Sequence, residues 1–249
     1  MINRRNMAVI LLGILTTTAA ESAAARSLIA TSGASHVELV ELYTSEGCSS
    51  CPPADKWVSD LKDRSDLWKH FVPVAFHVDY WNNSSWSDGL SSDAMTQRQT
   101  DLSHLWREPS VYTPALVLDG KEWRDWHQNQ APSPSPANPQ KITLSLFKET
   151  DGSFTVRVEK PKTASHLVVK VAELGMGLNS HVTGGENSGR VLTHNFAVLD
   201  WEGKALGANQ NEQNFKFQPS HQKVSQTAIA AWVEEEGNPT PLQAVGGYL

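Results

Sequence analysis

The sequence predicts an α/β domain followed by a small β-sandwich-like domain, and three observations carry that expectation. Strand-like and helix-like runs alternate between residues 37 and 130. A proline-dense stretch, "APSPSPANPQ", occupies residues 131–140. Beyond it, at residues 141–249, the apolar runs are short and separated by turn residues.

The elements follow in order. Residues 1–25 read as a secretory signal: Arg4 and Arg5, then an apolar run from Met7 to Leu15, then Ala23-Ala24-Ala25 as a small-residue cleavage site. The apolar run is far shorter than the ~20 residues a bilayer requires, and nothing after it could span a membrane. The mature chain is therefore expected outside the cytoplasm, periplasmic or secreted. A net charge of −6 without a basic stripe gives no electrostatic footprint for nucleic acid.

In the first segment Val37–Tyr43 predicts a strand, and the run from Pro53 to Trp68 a helix that buries Trp57, Val58, Leu61 and Leu67. Val72–Val78 lacks polar alternation, as suits a strand covered on both faces. A polar, Trp-bearing stretch from Asp79 to Gly89 leads into a helix over Ser91–Trp106. Ala115–Leu118 is a strand ending at the tight turn Asp119-Gly120. The proline-rich stretch reads as a semi-rigid linker. In the second segment Lys141–Lys148 and Ser153–Lys160 flank Asp151-Gly152, a hairpin signal. His166–Leu174, Phe215–Phe217, Thr227–Glu234 and Leu242–Val245 are further strands.

The two cysteines of the chain fall together in "ELYTSEGCSSCPPADKW", as Cys48 and Cys51. Such a pair can be a redox couple, a soft metal site or a structural clip. The clip is the weakest reading, because so short a loop removes little entropy from the unfolded chain. A structural zinc site wants a full tetrahedral ligand set, and no second C-x-x-C or Cys/His cluster exists. Between a strand and a helix the pair carries redox meaning. The first thiol lies near a helix N-terminus, where the dipole favours a thiolate, and the second is within reach to resolve a mixed disulfide.

"VYTPALVLDGKE" (Val111–Glu122) resembles the thioredoxin segment in which a cis-proline opens a strand, and "FVPVAFHVD" resembles the strand before it. The resemblance implies a thioredoxin-like domain over residues 37–130, with Pro114 facing the cysteines and Thr113 presenting backbone to an extended substrate. "VELYTSEGCSSCPPAD", "HVDYW", "VYTP" and "GENSGRVLTHN" resemble, more closely still, the secreted bacterial family known as domain of unknown function 1223. That resemblance implies a thioredoxin-like fold with a β-rich extension and leaves the activity to be argued from the site. The chain departs from ordinary thioredoxins in two ways. Pro52 and Pro53 start the helix and remove two N–H donors, with Asp55 further opposing an anion, so Cys48 is expected to be only moderately acidic. The last thioredoxin helix is absent, and the β-rich segment is expected to cover the face it leaves.

Among the remaining candidates, Glu41 sits in an otherwise apolar strand. It reads either as a buried proton acceptor for the resolving thiol or as a solvated strand glutamate. His77 and Asp79 share a pleat face and either hydrogen-bond the loop that follows or, in the case of His77, join the thiols at copper or zinc. Tyr80, Trp81, Trp86 and Tyr112 either grip a substrate or close a small core. Glu186, Asn187, Arg190 and His194 form a binding site, a docking surface or a loop network. The function expected is an extracytoplasmic thiol–disulfide oxidoreductase. Cys48 attacks, Cys51 resolves, Pro114 and Glu41 assist, and Thr113, Tyr112, Trp81 and Trp86 contact a protein thiol or disulfide. An electron-donor partner completes it, and no organic cofactor is implied. The alternatives are a periplasmic copper- or zinc-binding protein using Cys48, Cys51 and His77, and a non-catalytic binding module.

Overall fold

A computed structural model describes residues 26–128, 132, 137–217 and 224–249. Residues 1–25, expected as a secretory signal, lie outside these residues, as does most of the proline-rich stretch. The strands in chain order are β1 (Ser27–Thr31), β2 (Glu38–Thr44), β3 (Phe71–His77), β4 (Ala115–Leu118), β5 (Lys121–Glu122), β6 (Thr143–Lys148) and β7 (Phe154–Glu159). They continue as β8 (Leu167–Met176), β9 (Leu178–His181), β10 (Val191–His194), β11 (Ala197–Leu206), β12 (Glu212–Phe215), β13 (Gln226–Glu235) and β14 (Asn238–Tyr248). The α-helices among the described residues are α1 (Pro52–Asp60) and α2 (Asp93–Trp106).

The fold corrects the expected class. An α/β thioredoxin-like domain followed by a separate β-sandwich-like domain does not form. The molecule is β-rich, and strands from both sides of the proline stretch join in one eight-stranded mixed sheet, ordered β14-β13-β8-β11-β3-β2-β4-β5. The reason lies in β3. All seven of its residues are buried, so it cannot stand at a sheet edge with unpaired backbone. The first segment offers it only β2, in parallel register from Glu38↔Phe71 to Thr44↔His77. β11 supplies the other neighbour, joined where the Ala75 N–H donates to the Phe196 carbonyl at 2.8 Å. On that same edge Pro73 has no N–H to extend the ladder, and the pairing is confined to Ala197↔Ala75.

A second sheet, β1-β6-β7-β12, packs on one face of the large one. Leu144, Leu146, Val156 and Val158 meet Val169, Val171, Ile229, Ala231 and Val233 there. The alternate residues of the same strands, Ala172, Leu174, Ala228, Ala230 and Trp232, face the core shared with β2, β3 and α2. This is the period of two expected of strands buried on both sides. Small residues admit the large aromatics of that core. A Cβ on Gly246 would lie 2.6 Å from the Trp68 ring.

α1 begins at Pro52 with Cys51 as its N-cap, the start that two consecutive prolines dictate. It is shorter than the expected run to Trp68. A 3-10 turn at Leu61–Asp63 follows, Arg64 is extended, and Trp68 takes a positive φ of 65° before β3. α2 is capped by the Ser92 hydroxyl, which accepts from the Met95 amide. No described helix is long and apolar enough to cross a membrane.

Candidate functional site

The site is built on the turn between β2 and α1. Successive turns wind into the helix: the Cys48 amide donates to Ser45, the Cys51 amide to Cys48, and the Ala54 and Asp55 amides to Cys51. Cys48 and Cys51 are joined in a disulfide with their Cα atoms 5.5 Å apart. Both are fully buried, whereas Ser49 and Ser50 between them are exposed. The Ser50 hydroxyl lies 3.3 Å from the Cys48 sulfur.

Beneath the pair lies a compact set of buried ionisable groups. Asp55, one helical turn beyond Cys51 and therefore on the same face, accepts from the Thr44 hydroxyl at 3.1 Å. Burial pushes its carboxyl above the ordinary range, against the pull of His194 and His77. Asp88 bonds His77 Nδ1 at 2.7 Å and accepts from the Glu46 and Leu90 amides at 2.9 Å. The His77 and His194 rings meet edge-on at 4.8 Å, and His194 Nε2 lies 3.4 Å from the Glu46 carboxylate. A groove of about 400 Å³, lined by Pro52, Asp55, Ser59, Val191 and His194 among others, connects this set to solvent.

His77 titrates away from its usual range. Burial alone pushes it down, but the Asp88 carboxylate, with Asp55 and Glu46 behind it, raises it to about 9. Asp88 is held below the ordinary range, since His77 and two backbone amides outweigh its own burial. The His77 contribution to stability is therefore complete below its unfolded value of about 6.5 and is lost as pH rises through about 9. Asp88 contributes above its unfolded value, and that part is lost as pH falls through its lower folded one. Urea unfolding between pH 6.5 and 9.5 is expected to show a stability loss of up to about 3 kcal/mol. Asp88→Asn should flatten the curve, and an equal slope in that variant would refute the assignment.

The structure brings some of the expected site residues together and leaves others apart. The Thr113–Pro114 peptide is cis, as the resemblance implied. Trp81 connects it to the cysteine turn. Its indole N–H donates to the Thr113 hydroxyl at 2.7 Å, and its Cβ lies 3.1 Å from where a Cβ on Gly47 would sit. Trp86 packs beside Gly185. Tyr112 points away, to Glu122 of β5.

Glu41 is fully buried but lies on the opposite face of β2 from Thr44 and Asp55. Its carboxylate takes a two-point contact from Arg98 at 2.6 and 3.1 Å and a bond from the Tyr43 hydroxyl at 2.7 Å. Burial pushes Glu41 up, and Arg98 and Tyr43 pull it back. The buried carboxyl one helical turn beyond Cys51 is Asp55 instead. His77 bonds the loop that follows it, one of its two expected roles, and Asp79 accepts from the Thr96 hydroxyl at 2.6 Å. Among the described residues no three His, Cys, Asp or Glu side chains converge to hold a metal ion.

The glycine-rich segment 183–190 docks on the cysteine turn. Glu186 accepts from the Ser49 amide at 3.1 Å and hydroxyl at 2.6 Å. The Asn187 amide donates to the Glu46 and Cys48 carbonyls at 2.9 and 2.8 Å, and Arg190 holds the Asn187 oxygen at 2.7 Å. Gly184 lies so close to Ser85 that a Cβ would overlap its carbonyl oxygen.

The sequence pattern described as "Protein of unknown function (DUF1223)" matches residues 39–234. The chain belongs to this family. The match runs from β2 into β13, so the DUF1223 pattern contains the cysteine turn, the ionisable set and the segment docked on them. No curated protein matches the chain. Two solved structures share its fold. One is protein AGR_C_4864 from Agrobacterium tumefaciens, at 20% identity and a TM-score of 0.59, covering 85% of this chain and 94% of that one. The other is HBP35 of Porphyromonas gingivalis, at 15% identity and a TM-score of 0.56, covering 86% and 76%. At these identities the likeness concerns the fold alone.

Proposed function

We propose that this DUF1223 protein is an extracytoplasmic thiol–disulfide oxidoreductase that exchanges the Cys48–Cys51 disulfide with protein thiols. The observation that supports it is a disulfide across a short turn at a helix start, with a buried, protonatable carboxyl, Asp55, one turn beyond. A clip in that position adds little stability, whereas a redox pair needs a nearby group to handle protons.

In the exchange a substrate thiolate attacks the Cys48 sulfur, forming a mixed disulfide as the Cys48–Cys51 bond breaks. Cys51 leaves with the electron pair and takes a proton, for which Asp55 is the donor. A second substrate thiolate then attacks the substrate sulfur of the mixed disulfide. Cys48 is released as a thiolate, and the substrate leaves as a disulfide. The same steps in reverse oxidise the pair and reduce the substrate, two electrons passing either way. Thr113, Pro114 and Trp81 flank the turn and are the surface along which an extended substrate would lie. Both cysteines are buried, so the turn or the segment docked on it would have to shift for substrate to enter.

The test pairs two measurements on one preparation. Mixed with a thiol-bearing protein substrate, the oxidised protein should pass its disulfide on. The reduced protein should bind Cu(I) weakly or not at all, because among the described residues no three His, Cys, Asp or Glu side chains converge to hold a metal ion. Tight stoichiometric Cu(I) binding, lost in both His77→Ala and Cys48→Ser and without any disulfide exchange, would favour a metal-binding role instead.

A further inference from the structure

We infer that Glu186 is a redox-tuning latch: a carboxylate seated on the Ser49 amide that favours the disulfide over a reduced form carrying a Cys48 thiolate. The inference rests on the oxidoreductase reading of the pair.

Ser49 directly follows Cys48, and its N–H is given to Glu186 at 3.1 Å. Standard bond lengths then place the nearer Glu186 oxygen within about 8 Å of the Cys48 sulfur. A thiolate at a helix start is ordinarily stabilised by free N–H groups there. Here Pro52 and Pro53 have none to give, and that of Ser49 faces an anion. A Cys48 thiolate would keep the Ser50 hydroxyl, 3.3 Å away, as a donor, but would meet a like charge at the Ser49 amide. The other charged groups around the turn do not cancel Glu186. Arg190, the cation of the docked segment, is directed to the Asn187 oxygen, and Glu186 is bonded to Ser49 instead. Glu46 and Asp55 lie buried below with His77 and His194 between them.

The two halves of the docked segment differ in kind. Asn187 is neutral and holds the Glu46 and Cys48 carbonyls, contacts that do not depend on charge at sulfur. Glu186 is the half that responds to it. Linkage makes the effect reciprocal: whatever the Glu186–Ser49 contact loses when a thiolate forms, the disulfide gains when the contact is made. Reduction thus loosens the cover over Cys48, and oxidation restores it.

Two variants separate charge from contact. Glu186→Gln keeps an oxygen for the Ser49 amide and removes the charge, while Glu186→Ala removes both. In both, the Cys48 pKa, followed by thiolate absorbance, should fall by about half a unit or more at low salt. The equilibrium with glutathione should move toward the dithiol by about threefold or more. Because Glu186 is exposed, both shifts should shrink at ~1 M salt. An unchanged pKa and glutathione equilibrium in Glu186→Gln would overturn the latch. A native disulfide that excess dithiol cannot reduce would overturn both the latch and the oxidoreductase reading. A pair that is reduced yet exchanges with no protein substrate would overturn that reading alone, leaving the glutathione equilibrium to decide the role of Glu186.

Discussion

Cys51→Ser is expected to accumulate mixed disulfides on Cys48, and Cys48→Ser to lose exchange altogether, because resolution needs the second thiol. Gel shifts after alkylation, with a disulfide-bearing protein as the substrate that Cys48 attacks, report both outcomes. The effect on stability should be small by comparison. Closing so short a loop removes denatured-state entropy worth at most about 2 kcal/mol on the chain-entropy account. Loss of exchange with folding retained therefore marks a working pair. Collapse of stability in both variants, with no exchange in the wild type, would mark a clip.

The largest stability effect is expected from Arg98, on the far face of β2. Its guanidinium joins Glu41 to Glu234, the latter at 2.7 Å, and Glu234 also accepts from the Trp232 indole at 2.6 Å. All four residues are buried. Arg98→Met leaves Glu41 without its cation in the core and Glu234 with only Lys170, 3.8 Å away, a change that costs about 3–5 kcal/mol. Urea denaturation measures it directly, and a loss below about 1 kcal/mol would show that the carboxylates find other partners or take up protons cheaply. Adding Glu41→Gln and Glu234→Gln to the variant should restore part of the loss, since neutral amides tolerate burial better.

Much of the local structure was legible because it depends on neighbouring residues. Consecutive prolines fixed the start of α1 at Pro52, and Asp151-Gly152 closed the β6–β7 hairpin with Gly152 at a φ of 82°. The cysteine pair announced itself by spacing. What escaped was long-range. β11 carries Asp200, Glu202, Gly203 and Lys204 in a half-exposed run without clean alternation, so it gave no strand signal, and with it went the sheet that unites the two segments. The burial of Asp55, named beside the cysteines, and the part played by Asp88 escaped for a related reason: a polar residue in a turn or a first helical turn ordinarily faces water, and only the tertiary approach of His77 and His194 buries them. Glu41 misled in the opposite direction. Its apolar strand context correctly signalled burial, but a strand has two faces, and Arg98 on α2 claims the one that Glu41 occupies. The Glu186–Asn187 segment left a trace in its density of glycine and hydrogen-bonding side chains, though not the identity of its partner.

The joining of β11 to β3 also governs the order in which the chain can be completed. As the polypeptide emerges from synthesis, β2 and β3 can pair early, but the outer edge of β3 waits for a strand more than a hundred residues downstream. Until that strand arrives, a seven-residue strand with six apolar residues presents an open template to any other extended chain nearby. Nascent chains of this protein are thus most exposed to mutual aggregation midway through delivery, and the cysteine turn, carried on the end of β2, acquires its finished surroundings only when the C-terminal strands close.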